Sequence, residues 1–167
     1  HAIDKVTSAG NRQVIVTERG TTFGYHNLVV DMRAFPILRR FGFPVVYDVT
    51  HSLQLPGAGD GVTAGQAEFI QPMASAGVAA GVDGVFMEVH ERPSEAKSDA
   101  QNALRLALVD GLLDRLVRDR RGDDGAAGKL DPHVRGGRAL LHLDHFPLEN
   151  VARAELHGAS SIPVYGP

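Results

Sequence analysis

Three short runs of β-branched and other apolar residues recur along the chain, and helix-like segments follow each of them. The runs span residues 13–17, 44–50 and 84–89. Because they are almost continuously apolar, they are typical of strands buried on both faces of a parallel sheet. Apolar residues at helical or near-helical spacing occupy the stretches 27–40, 68–81 and 102–120. Strand and helix alternate three times, so the pattern predicts an α/β fold with right-handed crossovers.

Composition excludes several classes of protein. Lys and Arg number 17 against 20 Asp and Glu, a net charge of −3, which disfavours binding to nucleic acid. No apolar run approaches the roughly 18 residues of a membrane span, and no signal sequence is visible, so we expect a cytoplasmic protein. The sequence has no cysteine, which rules out disulfides and thiolate ligands within it. Its 167 residues are also too few for a complete (β/α)8 barrel of about 250 residues.

The ends of the three strands carry the polar residues that suggest chemistry. Arg19 follows the first strand, His51 and Gln54 follow the second, and Glu88 and Asp99 lie on or after the third. Strand ends of a parallel sheet open on one rim, so these side chains should meet there. An imidazole with two carboxylates suits a divalent ion such as Mn, Fe or Zn. A nearby guanidinium would hold a phosphate or a carboxylate.

Each of these residues also has a simpler interpretation. His51 could be a capping or hydrogen-bonding histidine, and His90 could contact only backbone or solvent. Glu18 and Arg19 could form a local ion pair of little energetic value. The glycine-rich loop 55–61 could be a lid that closes on substrate, or a long flexible turn.

Four segments together resemble the 3-deoxy-D-manno-octulosonate 8-phosphate (KDO-8-phosphate) synthases: TERGTTFGYHNLVVDMR at 17–33, YDVTHSLQLPG at 47–57, GVFMEVH at 84–90 and AKSDA at 96–100. The resemblance runs from His1 to about Arg120. It implies the last three strand–helix units of a (β/α)8 TIM barrel, here incomplete. It also implies condensation of phosphoenolpyruvate with D-arabinose 5-phosphate for lipopolysaccharide synthesis, by a homo-oligomer, expected to be a tetramer.

The resemblance assigns roles to individual residues. His51, Glu88 and Asp99 match three metal ligands of the metal-dependent branch, and His51 and Asp99 are the expected catalytic residues. The fourth ligand of that branch is a cysteine on the family's first strand. Four further residues are expected to bind substrate: Arg19, which matches the arginine that grips phosphoenolpyruvate, with Phe23, Asn27 and Gln54. Two departures are Thr63–Ala67, where the family has Ser-Gly-Gly followed by Arg, and Arg105, where proline is common.

Beyond Arg120 the character of the sequence changes. We divide the chain into a partial barrel domain at 1–120 and a linker with an unassigned, irregular tail at 121–167. Within the tail, Leu140, Leu141, Leu143 and Phe146 predict a short helix or strand against the sheet, and His142 and His145 are expected to be incidental.

Two alternatives stay open. One is a 3-deoxy-D-arabino-heptulosonate 7-phosphate (DAHP) synthase-type enzyme that uses erythrose 4-phosphate and a similar metal set. The other is a non-catalytic barrel half that pairs with another chain. Because the N-terminal helical pattern at residues 2–6 begins without a cap, we expect a truncated or excised piece, or else a boundary left by removal of a tag. Three parallel strands leave edges unpaired and cannot enclose the site, so we expect the chain alone not to be catalytically competent.

Overall fold

The computed structural model describes residues 1–22, 27–56, 64–97, 99–121, 130–135 and 138–143. Besides three short 3₁₀ helices at Ala67–Phe69, Pro93–Glu95 and Leu106–Leu108, five α-helices and ten strands occur in these ranges. In chain order they are α1 (Ala2–Ser8), β1 (Val16–Glu18), β2 (Thr21–Thr22), β3 (Leu28–Val29), α2 (Ala34–Arg39), β4 (Val45–Asp48), α3 (Val49–Ser52), β5 (Gln54–Leu55), β6 (Ala64–Gly65), α4 (Ile70–Ala79), β7 (Gly84–His90), β8 (Leu104–Arg105), α5 (Val109–Arg121), β9 (Leu130–Arg135) and β10 (Arg138–Leu143).

The predicted parallel sheet is present. Strand β4 lies between β1 and β7 and pairs parallel with both, with Val45 opposite Val16 and Val46 opposite Gly84. All four residues of β4 are buried, as the continuously apolar pattern indicates for a strand covered on both faces. The α/β prediction is therefore confirmed.

The core lies between this sheet and helices α2, α4 and α5. The rings of Phe35 and Tyr47 meet with centroids 5.2 Å apart, and both side chains are fully buried. Gly77 of α4 lies against the Tyr47 ring, where a Cβ atom would come within 2.6 Å of Tyr47 Cδ1. The absence of a side chain at Gly77 thus sets the close approach of α4 to β4.

Two of the predicted helices begin later than expected. The helix predicted over 27–40 is limited to α2, because the β-branched and leucine residues before it form β3, which pairs antiparallel with Thr21–Thr22. The helix predicted over 102–120 begins at Val109, because Leu104–Arg105 first pairs parallel with Val89 and His90. In both places a strand partner outweighs helical spacing.

The prediction of an irregular tail is wrong for residues 130–135 and 138–143. Strands β9 and β10 pair antiparallel, and β10 lies antiparallel on the edge of β7 away from β4, with Leu140 opposite Phe86. An edge strand presents unpaired N–H and C=O groups, which β10 satisfies. The short helix or strand expected around Leu140, Leu141 and Leu143 is a strand, whereas Phe146 and His145 lie outside the described residues.

No helix among the described residues is long and apolar enough to cross a membrane.

Candidate metal centre

The segment that leaves β4 turns directly into α3 and carries His51. Asp48, the last residue of β4, is the N-cap of this helix, and its Oδ1 accepts the backbone N–H of His51 at 3.0 Å. Tyr47 and Ser52 are linked by a 2.8 Å hydrogen bond between their hydroxyls. One short turn therefore fixes the position of His51 at the carboxyl end of the sheet.

His51, Glu88 and Asp99 form a compact cluster. The Nε2 atom of His51 lies 4.0 Å from Glu88 Oε1 and 3.8 Å from Asp99 Oδ2, and one ligand atom from each residue falls within 4.8 Å of the others. Glu88 is buried, while His51 and Asp99 are half-buried. The structure thus brings together the three predicted metal ligands from different strand exits.

The donor set fits a divalent transition-metal ion. Metal–nitrogen and metal–oxygen distances of about 2.0–2.2 Å allow two donors of one ion to be at most about 4.4 Å apart. The separations of 3.8 and 4.0 Å from His51 lie within this limit, whereas any separation near the 4.8 Å bound of the cluster would have to shorten when an ion binds. One imidazole and two carboxylates suit Mn, Fe or Zn, and three protein ligands are the number found in many catalytic sites.

Asp99 is held in an unusual backbone conformation. Its φ angle is +50°, in the left-handed region that Asp tolerates better than most residues. Its carbonyl oxygen accepts the N–H groups of Asn102 and Ala103, each at 2.8 Å. These two hydrogen bonds stabilise the turn that presents the Asp99 carboxylate to His51.

Gln54 connects Arg19 with the cluster. Its amide nitrogen donates to Asp99 Oδ1 at 2.6 Å, and its amide oxygen accepts from Arg19 Nη2 at 3.1 Å. The Glu18 carboxylate accepts the N–H of Gly20 at 2.5 Å. Arg19 is exposed and is connected to Asp99 through Gln54, so its guanidinium remains open to an anion from solvent close to the cluster.

The electrostatic environment favours the protonated form of His51. The hydrogen bond to Asp48 is the main cause that raises its pKa above the usual value, and the charges of Asp48 and Asp99 act in the same direction. Burial and the nearby Arg19 oppose the rise. A metal ion bound at this imidazole would have to compete with the proton.

Asp48 was missed by sequence reasoning. Its Oδ2 atom lies 2.7 Å from Nδ1 of His51, on the opposite side of the ring from the two carboxylates. An acidic residue three positions before a histidine, at the end of a predicted strand, is an N-cap signal that could have identified it.

The remaining predicted residues are not part of the cluster. Asn27 is exposed just before β3, and Phe23 lies outside the described residues. His90 accepts the backbone N–H of Arg92 at 3.0 Å, which confirms its predicted backbone contact. Leu55 of the proposed lid pairs with Ala64, and residues 57–63 lie outside the described part of the chain.

Comparison with known proteins identifies the family. The sequence model of the DAHP synthetase I family matches residues 1–119. The chain belongs to the DAHP synthetase I family. Within it, the chain is 59% identical over 123 residues to the 2-dehydro-3-deoxyphosphooctonate aldolase of Koribacter versatilis, covering 72% of this chain and 44% of that protein. It is 53% identical over 116 residues to the enzyme of the same name from Trichlorobacter lovleyi, covering 70% and 43%.

A third relative, from Desulfotalea psychrophila, carries the same name and is 51% identical over 120 residues, covering 72% of this chain and 43% of its own. The chain therefore spans less than half the length of these curated relatives. The name they share denotes a KDO-8-phosphate synthase. The synthase resemblance found in the sequence is confirmed, and the cluster His51, Glu88 and Asp99 lies inside the matched region.

Proposed function

We propose that the chain provides the metal-ligand and anion-binding part of a KDO-8-phosphate synthase, which condenses phosphoenolpyruvate with D-arabinose 5-phosphate. The observation that carries this proposal is the convergence of His51, Glu88 and Asp99 within 4.8 Å, next to Arg19 at the same rim. The relatives' printed name supports the substrate class. We further propose that these strands derive from the C-terminal part of a (β/α)8 barrel, with 1–120 as its domain.

The reaction places its charge where these residues lie. The enol carbon of phosphoenolpyruvate attacks the sugar aldehyde, water adds to the adjacent carbon, and phosphate leaves. Negative charge on the phosphoenolpyruvate carboxylate and phosphate requires fixed cationic partners, and Arg19 is an exposed guanidinium available for one of them. When bound, a divalent ion would supply a Lewis acid that orients a substrate hydroxyl or the reacting water.

Gln54 and Asp48 would support this chemistry without being ligands. Gln54 holds Arg19 and Asp99 in one hydrogen-bonded chain, so the anion-binding group and a carboxylate of the metal set keep a fixed separation. His51 and Asp99, the proposed catalytic residues, would hold the ion and so position the hydroxyl groups that approach the cluster. Asn27 and Phe23 are proposed to contact substrate from the segment before β3.

Metal binding is the first test. Titration of the 167-residue chain with Mn²⁺ or Zn²⁺ in a calorimeter should show one ion per chain, and His51→Ala should abolish that site. His90→Ala is the matched control, because His90 lies on the same rim and contacts the Arg92 backbone instead. Equal loss of binding in both variants would contradict the proposed ligand set.

Substrate choice is the second test. Residues 1–119 can replace the matching segment of the Koribacter versatilis relative, which is 59% identical over the aligned residues. We expect phosphate release from phosphoenolpyruvate with arabinose 5-phosphate, followed by ³¹P NMR. Arg19→Lys should raise the phosphoenolpyruvate KM by about 10-fold or more, since a charged hydrogen bond contributes about 1.5–3 kcal/mol. Arg12→Lys, another exposed arginine, should leave KM unchanged.

Preference for erythrose 4-phosphate in this chimera would instead favour a DAHP synthase-type activity, the alternative that agrees with the name of the family.

The isolated chain is proposed to be inactive, because its described strands form an open sheet that leaves one flank of the site to water. Substantial turnover by the isolated chain would refute that. The third possibility, a non-catalytic half, predicts a gain of stability with a complementary chain and no activity in the chimera.

A homotetramer is proposed for the complete enzyme, and light scattering of the chimera measures it.

A further inference from the structure

We propose that Asp48 is a positioning residue that selects the tautomer of His51 and so directs the Nε2 lone pair toward Glu88 and Asp99. This inference rests on the proposed role of His51 as a metal ligand. It concerns a residue that no resemblance assigned and that does not contact the metal-ligand carboxylates itself.

The geometry divides the two oxygens of Asp48 between two tasks. Oδ1 accepts the backbone N–H of His51 at 3.0 Å, and Oδ2 lies 2.7 Å from His51 Nδ1. A carboxylate can only accept hydrogen bonds, so in a neutral imidazole this contact requires the proton on Nδ1. The proton-free nitrogen is then Nε2, the atom that faces Glu88 Oε1 and Asp99 Oδ2.

Two features make this arrangement rigid. Asp48 is buried and lies on β4 in register with Phe86 of β7, so its backbone cannot shift without breaking the sheet. The Phe86 ring in turn stacks on the His51 imidazole, with centroids 6.1 Å apart and an interplanar angle of 19°. Both the rotation of the imidazole and the identity of its protonated nitrogen are therefore set before any ligand arrives.

Neighbouring hydroxyls have other partners. The hydroxyl of Thr50 accepts the backbone N–H of Glu88 at 2.8 Å, and that of Ser52 donates to Val49 O at 2.9 Å and contacts Tyr47. Within the described hydrogen bonds, the Nδ1 contact belongs to Asp48. This makes Asp48 the group whose replacement should change the tautomer.

The test uses two substitutions that keep a helix N-cap. In Asp48→Asn the amide oxygen can still cap α3, which leaves the NH₂ group facing Nδ1, so the His51 proton should move to Nε2. In Asp48→Ser the hydroxyl can cap α3 but is too short to reach Nδ1, so a mixture of tautomers should appear. A role based on charge alone predicts equal effects for the two variants.

The first readout is ¹⁵N NMR of the histidine ring in the metal-free 167-residue chain, at a pH where the imidazole is neutral. We expect protonated Nδ1 in the unchanged chain, protonated Nε2 in Asp48→Asn and both forms in Asp48→Ser. The second readout is the Zn²⁺ dissociation constant, which should rise about 10–100-fold, most in Asp48→Asn. Circular dichroism checks that each variant folds, and Asp48→Ser carries the test if Asp48→Asn does not.

Asp83→Asn is the matched control. The Asp83 carboxylate also accepts a β4 backbone N–H, from Val45 at 2.9 Å, and pairs with Arg39 at 3.2 Å, away from the cluster. It should leave the tautomer and the Zn²⁺ affinity unchanged. The wild-type tautomer and affinity in a folded Asp48 variant would overturn the proposal while leaving the metal centre intact. Absence of Zn²⁺ binding by the unchanged chain would refute the metal centre and not the tautomer assignment.

Discussion

Replacement of Gly77 by alanine tests the packing that places the site. An alanine Cβ at this position would lie 2.6 Å from Tyr47 Cδ1, closer than real Cβ atoms approach. The Tyr47 ring cannot move aside easily, because it is fully buried, packs on Phe35 and is hydrogen-bonded to Ser52. We expect an overpacking cost of about 1–3 kcal/mol, partly offset by about 1 kcal/mol of improved helix propensity.

Gly111→Ala is the control that isolates the clash. Gly111 lies in the first turn of α5, is exposed, and has nothing within 4 Å of the position of an added Cβ. This variant should be stabilised by up to about 1 kcal/mol through helix propensity alone. Urea unfolding of both variants measures the two free energies. The difference between them should equal the overpacking cost, about 1–3 kcal/mol, and equal stabilities would refute the close contact of α4 with β4.

Three other outcomes follow from the structure. Burial raises the pKa of Tyr47 to about 12, so the phenol should stay protonated past pH 10 in an ultraviolet titration. About 2–3 kcal/mol of stability should be lost as pH rises from the unfolded-state pKa of about 10 to the folded-state pKa of about 12. The pKa of His51 is raised in the folded chain, mainly by Asp48. The stability that His51 contributes to the metal-free chain should therefore be complete below the unfolded-state pKa near 6.5, and it should be lost as pH rises through the higher folded-state pKa. A difference in stability from His51→Gln that does not depend on pH would contradict this. The amide of Glu88 on β7 points to Thr50, so the alternating amides of Val85 and Met87 point to the other side, toward β10. Ending the chain at residue 121 removes β10, and hydrogen exchange at Val85 and Met87 should therefore accelerate. Exchange at Val46, between β1 and β7, should change little and serves as the reference.

The order of strands and helices could be predicted because the spacing of apolar residues indicates which segments are buried. The run from Val45 to Tyr47 is apolar without alternation, and the structure buries every residue of it. The rim residues His51, Glu88 and Asp99 could be predicted for a related reason, since parallel strands must end at the same edge. What these signals share is that they depend on residue type and chain direction alone.

Other features depend on which partner a segment finds. Leu28–Val29 has apolar residues that suit either a helix or a strand, and its pairing with Thr21–Thr22 decides the outcome. The pairing of β10 with β7 depends likewise on an open edge that no local pattern in residues 138–143 reveals. Gln54 was expected to touch substrate, but its bonds to Arg19 and Asp99 became visible only when the three strand exits were placed together.

The segment from Tyr47 to Ser52 joins the core to the cluster of His51, Glu88 and Asp99 within a single turn. Tyr47 packs into the core and is bonded to Ser52, whereas Asp48 between them holds His51. The Thr50 hydroxyl accepts the N–H of Glu88 and so connects this turn to β7. Core packing and ligand geometry therefore share the same residues. A disturbance of Tyr47 from α4, as in Gly77→Ala, should weaken Zn²⁺ binding as well as stability, whereas Gly111→Ala should change stability alone.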